Sequence, residues 1–168
     1  MSKNYWLMKT EPDTFSFDDL VGRPDRTDRW EGVRNYQARN MMRDQFQLGD
    51  EVFIYHSRVA EPAIVGVARV VRAAYPDPTA LDPQSKYFDS KSVEQGISRW
   101  VMVNVQAVGR FMRPITLKEL RDVKGAENML LLRPGQRLSI QPVQEQEWQL
   151  IHGLSRLERL PELLPNHV

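Results

Sequence analysis

Glu51-Val52-Phe53-Ile54-Tyr55-His56 and Ala63-Ile64-Val65-Gly66-Val67-Ala68-Arg69-Val70-Val71 are the two stretches on which the fold turns. Both are dense in β-branched and aromatic residues, the side chains that pack well on a pleated surface. Arg58 to Pro62 joins them, a length suited to a hairpin with a longer loop. Working outward, Asn4-Tyr5-Trp6-Leu7-Met8-Lys9 reads as a short strand closed by the Glu11-Pro12 turn signal. Trp100 to Val108 is a further strand, and Arg137 to Val143 alternates apolar and polar residues up to a proline. Short helices fall between them. Ser16 and Asp19 form a capping box, as do Thr116 and Glu119. Asn35 caps a helix over 35–46 whose apolar face holds Tyr36, Met41 and Met42. Glu145 to Leu154 carries Trp148 and Ile151 on one face. Gly22 to Asp28 reads as a polar loop. Tyr75 to Ser92, with Pro76, Pro78 and Pro83, reads as a long one, of the kind that tends to carry function. The fold class is α+β: a curled sheet of about five to six strands with short flanking helices, closing as a pseudo-barrel because closure removes exposed edges.

The 168 residues fit one domain, expected over 1–154, with a C-terminal tail over 155–168. Leu157, Leu160, Leu163 and Leu164 would let that tail pack or pair with a second copy, giving a monomer or a weak homodimer. An apolar fraction of 41% and a charged fraction of 27% are those of a folded chain. With no cysteine there are no disulfides, no thiolate metal sites and no Cys nucleophile. No run approaches the roughly 18 apolar residues of a membrane helix, so no membrane partner is expected. Met1 to Trp6 has no basic segment ahead of an apolar core, and no signal peptide is expected. The reading is cytoplasmic, or nuclear in a eukaryote. Net charge is only +1, whereas a chain that coats nucleic acid is usually much more basic. Its cations are local: Arg29, Arg34, Arg39 and Arg43 share one short segment.

Little catalytic chemistry is legible. The three histidines have no metal-ligand spacing, and neither a metal nor a cofactor is expected. No Gly-x-Ser-x-Gly elbow marks Ser57 as a nucleophile. His56, at a strand end, reads foremost as a hydrogen-bonded histidine at the sheet rim, and only secondarily as a base. Asp18 and Asp19 are adjacent on a helix and do not face each other, so capping and the helix dipole account for them.

What remains is a constellation of aromatic, cationic and small polar groups. Trp6-Leu7-Met8-Lys9-Thr10-Glu11-Pro12, Gly32-Val33-Arg34-Asn35-Tyr36-Gln37-Ala38-Arg39-Asn40, Tyr55-His56-Ser57 and Arg137-Leu138-Ser139-Ile140-Gln141-Pro142-Val143 together resemble the EVE domain family over nearly the whole chain. The resemblance implies a PUA-like pseudo-barrel related to the ASCH and YTH folds. It also implies a pocket for a modified base, of which 5-methylcytosine and its oxidised forms are the usual proposals, and no assigned catalytic chemistry.

The residues can be read physically beside that resemblance. Trp30, flanked by Arg29 and Glu31, is expected as an exposed platform, and a base stacked on it gains roughly 1–3 kcal/mol. Trp6 and Trp100 go to the core. Gly32 would let backbone near Val33 approach a ligand and read a base edge. Arg34 and Asn35 offer a fork of donors and a two-sided amide. Lys9, Tyr55, His56 and Ser57 would line the opposite wall, and Tyr87 and Phe88 would form a second aromatic wall or lid. Arg29, Arg39 and Arg43 would contact phosphate. A buried methyl contributes about 0.8 kcal/mol, about fourfold, so one platform does not select a methylated base. The leading reading is a non-enzymatic module holding a flipped or single-stranded modified base of DNA or RNA. The alternatives are an enzyme acting on a nucleobase or nucleotide-like molecule with His56 or Lys9 as acid/base, and a small-molecule binder.

Overall fold

The computed structural model describes residues 3–160. Within them seven strands form one curled sheet: β1 (Tyr5–Thr10), β2 (Thr27–Trp30), β3 (Glu51–His56), β4 (Ala63–Pro76), β5 (Val101–Thr116), β6 (Ile140–Val143) and β7 (Leu157–Arg159). Their order is β2-β5-β4-β3-β1-β6, with β7 also pairing β5. β3 and β4 make the expected antiparallel hairpin, from Glu51 opposite Arg69 to His56 opposite Ala63. β1 runs parallel to β3 and antiparallel to β6. The long β5 carries β2 on its outer edge near Val103–Gln106 and β7 near Gly109–Phe111. Among the described residues five α-helices flank the sheet: α1 (Phe17–Val21), α2 (Tyr36–Asp44), α3 (Ser90–Gln95), α4 (Leu117–Leu120) and α5 (Glu145–His152).

The two stretches that open the reading are nearly continuous in apolar residues because both faces of the sheet are covered. Strand alternation sends Val52 and Ile54 to one core, with Trp6, Met8 and the α1 and α2 residues Phe17, Leu20, Met41 and Met42. It sends Phe53 and Tyr55 to the other, with Leu7, Ile64, Phe111 and the α5 residues Trp148 and Ile151. Phe53 stacks on Trp148 with ring centroids 3.8 Å apart.

Two stretches fold otherwise than the sequence suggests, and the described part of the tail packs on the sheet. The polar stretch 22–28 ends in a strand: β2 starts at Thr27 and closes on Trp30. It is a four-residue edge strand with polar residues at three positions, so no hydrophobic period marks it. The long loop is shorter than expected, since β4 runs to Pro76, a 3-10 turn spans Pro78–Leu81 and α3 starts at Ser90. Within the tail, Leu157–Arg159 pairs with β5 and Leu160 is buried. Leu163 and Leu164 lie outside the described residues. Ser16 and Asp19 form the full capping box. Thr116 accepts from the Glu119 N–H as a cap, but the Glu119 carboxylate pairs with Arg113 instead of reaching back, so that box is only half made.

Asp50 is fully buried and ties β1 to the turn before β3. Its carboxylate accepts from the Asn4 N–H, the Trp6 Nε1–H and the Gln47 N–H, each at 2.9 Å. Asp50→Ala would strand three donors, one of them on a buried indole. It is expected to lower the free energy of unfolding by about 3 kcal/mol, checked by urea denaturation. A loss under about 1 kcal/mol would mean that water replaces the carboxylate.

Candidate functional site

A cavity of about 530 Å³ opens where the end of β1, the end of β2 and the loop before α3 meet. Its walls hold Lys9 and Thr10 from β1, Phe15 from the following turn and Asp28, Arg29 and Trp30 from β2. The segment Glu31 to Arg34, then Lys86 and Tyr87, form a further part, and Glu11, Thr14, Arg23 and Ser139 complete it.

Trp30 lies here in a different setting from the one expected. It is only 9% exposed and packs into the core, its ring edge-on to Phe15 at 6.1 Å. It is a wall of the cavity rather than an open platform. Gly32 has φ +83°, a conformation that favours glycine. A Cβ there would lie 2.4 Å from the Tyr87 ring. The glycine therefore admits Tyr87, which lies against its backbone, so the sequence reading of Gly32 as a point of close approach identified the wrong partner.

The Tyr87 loop is locked in place by Arg34. All five of its N–H groups are used. Nε and one Nη2 hydrogen donate to the Tyr87 carbonyl oxygen, and the other Nη2 hydrogen to Thr79 Oγ1. Nη1 donates to the Val33 carbonyl oxygen and to Asp77 Oδ2, both at 3.0 Å. Asp77 is fully buried and also accepts from the Gly32 N–H and from Thr79. Burial alone would raise its carboxyl pKa; the hydrogen bonds from Thr79, Gly32 and Arg34 outweigh that and hold it below its ordinary value. Arg34 therefore positions the wall and has no donor left for a base edge or a phosphate. The Val33 carbonyl is likewise occupied, and the Val33 side chain is in the core.

The remaining expected residues divide. Lys9 borders the cavity, with its ammonium 5.9 Å from the Tyr55 ring centroid; burial pushes its pKa down. Arg29 lines the cavity and pairs with Glu31. Asn35 caps α2 by accepting from the Ala38 N–H at 2.9 Å and is not in the wall. Tyr55 is buried in the core on the other face, where burial raises its pKa against the opposing charge of Arg121. His56 does not line the cavity either. Its Nε2 accepts from the Phe17 N–H at 3.1 Å, which fastens the start of α1 to the end of β3. Ser57 continues the ladder through its N–H to the Thr10 carbonyl oxygen. Phe88 is 41% exposed beside the cavity rather than in it.

Arg39 and Arg43 lie on α2, off the cavity. Arg43 pairs with Asp44, and Arg39 donates to Asn40 and to the Arg99 carbonyl oxygen. Arg34, Arg39 and Arg99 each lie within 5.6 Å of the Trp100 ring centroid. Arg99 pairs with Asp89 at 2.6 Å. That pairing, with hydrogen bonds from Ser92 and Trp100, holds the Asp89 carboxyl far below the usual carboxylate range despite some burial. Sequence reasoning missed Asp77, Phe15 and Lys86. Asp77 had a signal: Asp-Pro-Thr is the mark of a capped turn with proline at its first position.

A family model for the EVE domain matches residues 4–154. The chain belongs to the EVE domain family. Its relatives within and around that family include thymocyte nuclear protein 1 of Mus musculus, 40% identical over 171 residues, 92% of this chain and 75% of that protein. A crystal structure of a protein from Pseudomonas putida is 46% identical over 89% of this chain and 98% of that one, with a TM-score of 0.83. A crystal structure of human THYN1 protein in complex with 5-methylcytosine containing DNA is 39% identical, covers 90% of this chain and 97% of that one, and has a TM-score of 0.81. In the EVE domain described here, no helix among the described residues is long and apolar enough to cross a membrane.

Two outcomes are expected from this geometry. Gly32→Ala combines an unfavourable φ with a collision at Tyr87, and should destabilise by about 1–3 kcal/mol and loosen the loop. Trypsin should then cut after the exposed Lys86 faster than in wild type; an unchanged rate would contradict the packing. The second concerns pH. Burial lowers the His56 pKa from the ordinary 6.5, only partly opposed by Asp18. A lowered folded pKa means that the unfolded chain takes up the proton first, so stability present above pH 6.5 is lost as pH falls toward the folded value. Wild type should therefore lose more stability between pH 7 and pH 5 than His56→Gln; equal slopes in denaturant titrations would contradict the assignment.

Proposed function

We propose that this protein is a non-enzymatic nucleic-acid-binding module that holds one unstacked base, 5-methylcytosine or a close relative, in the cavity between Trp30 and Tyr87. The observation that carries the reading is the cavity itself: 530 Å³, with aromatic walls from separate chain segments and Lys9, Arg23, Arg29 and Lys86 around it. That volume lies in the ordinary range for a ligand site. The likeness to human THYN1 protein, which has been crystallised with 5-methylcytosine containing DNA, supports the same ligand class.

Energetics narrow the partner. Extruding a base from a duplex costs a few kcal/mol, and stacking on an aromatic group returns roughly 1–3. Trp30, nine-tenths buried, offers little of its face, so Tyr87 carries more of the stacking. Single strands and weakened duplex sites therefore bind better than intact duplex. With net charge +1 and Arg34, Arg39 and Arg43 engaged within the protein, few phosphates are contacted and the salt dependence is shallow. The module works wherever nucleic acid is within reach, in the cytoplasm or in a eukaryotic nucleus. The geometry speaks against His56 as an acid/base, because Nε2 accepts from Phe17 and the ring lies outside the cavity.

Binding of a short single strand with one 5-methylcytosine should weaken roughly five- to hundredfold in Tyr87→Ala. It should be nearly unchanged in Arg43→Ala, whose side chain is exposed and off the cavity. Equal affinity of wild type and Tyr87→Ala would refute base stacking in this cavity. Competition by a small molecule unrelated to nucleobases, with no strand binding at all, would favour the small-molecule reading.

A further inference from the structure

The cavity holds three carboxylates, and they are not equivalent. Glu11 is taken up by Arg58 at 3.2 Å. Both oxygens of Asp28 accept hydrogen bonds, Oδ1 from the Arg29 N–H at 2.8 Å and Oδ2 from Arg23 Nε at 2.9 Å. Glu31 differs. Its Oε2 lies 3.0 Å from Arg29 Nε, an ionic contact, yet the N–H is not aligned on it, and the atom is shut off from solvent without a hydrogen bond. No hydrogen bond reaches Oε1 from any described residue. Glu31 is thus a cavity carboxylate anchored by charge through its enclosed Oε2, with Oε1 left as the acceptor a ligand could meet, next to the Trp30 wall.

We propose that Glu31 reads the exocyclic amine of a cytosine-type base; the assignment rests on the base-binding reading of the cavity. An ionised carboxylate is acceptor-only. It is matched by the N4 amine of cytosine, a donor, and opposed by O4 of thymine, an acceptor. The distinction matters for this ligand class because 5-methylcytosine and thymine carry the same methyl group on the same ring carbon. A pocket that sensed only the flat ring and the methyl would take both. The two differ on the edge that Glu31 is suited to read, and a site built for a donor rejects the analogue that lacks it far more strongly than an apolar pocket rejects a missing methyl. Arg29 has a second part in this: its charge offsets that of Glu31, so an acceptor can face the base without repelling the adjoining phosphates.

The test uses short single strands identical except for one central base, 5-methylcytosine or thymine, titrated against the intact protein and Glu31→Gln. Wild type is expected to bind the 5-methylcytosine strand at least about tenfold tighter than the thymine strand. In Glu31→Gln that ratio should fall to about threefold or less, because an amide can turn either its oxygen or its NH2 to the base. The ratio is taken within one protein, so any difference in folded fraction cancels. A wild-type ratio near one, or a ratio that survives Glu31→Gln, overturns the assignment. If the ratio fails while Tyr87→Ala still weakens both strands, the base-binding reading stands without Glu31. If neither strand binds, or Tyr87→Ala changes nothing, that reading falls and the assignment with it.

Discussion

The buried carboxylate of Asp77 holds together two segments that are far apart in sequence. It accepts from the Gly32 N–H, from Arg34 and from the backbone and side chain of Thr79, and with 0% exposure it has no water to fall back on. Arg34 spends its other donors on carbonyl and hydroxyl oxygens of the same two segments. Removing one partner of such a pair typically costs about 3–5 kcal/mol, because the other charge is left buried and alone. The geometric consequence is local and sharp: Tyr87 is carried onto the backbone of Gly32, and a cavity wall is made from a loop that has no sheet partner of its own.

The sheet supplies the rest. Because β1 lies parallel to β3 while β2 sits on the outer edge of β5, the ends of β1 and β2 come together only when the sheet curls. The cavity lies at that meeting. Trp30 can then serve twice, its bulk in the core with Met8, Ile54 and Val103 and its margin in the cavity. Arg34 and Trp30, the two groups that look most like ligand-binding residues in the sequence, thus lend more to construction than to contact. The groups left for a ligand are Tyr87, Glu31, which is paired by charge with Arg29 but accepts no hydrogen bond, and the cations around the rim.

Much of this was legible in the sequence and some was not, for physical reasons. The strands over 51–56 and 63–71 announce themselves because both faces of the sheet are covered and nearly every position is apolar. Ser16, Asn35 and Thr116 announce helix starts because capping is a matter of three or four consecutive residues. Trp30, Gly32, Val33, Arg34, Lys9 and Tyr87 were found as neighbours of one cavity, through their chemistry and the family resemblance. What failed was direction and partnership. Tyr55 alternates onto the far face of the sheet from Ile54, and His56 turns to the start of α1. Neither follows from composition, because a shift of one residue along a strand exchanges its faces. The occupation of Arg34 depends on a partner 43 residues away, and β2 is too short and too polar to show a period.

The most direct measurement is a crystal structure of this protein with a single strand bearing one 5-methylcytosine. The expected result is the modified base in the cavity between Trp30 and Tyr87, its N4 amine toward Glu31, with every contact of Arg34 to Asp77, Thr79 and Tyr87 unchanged. A base bound elsewhere, or an Arg34 released from Asp77 to grip phosphate, would contradict the view that this pair builds the site and the cavity reads the base.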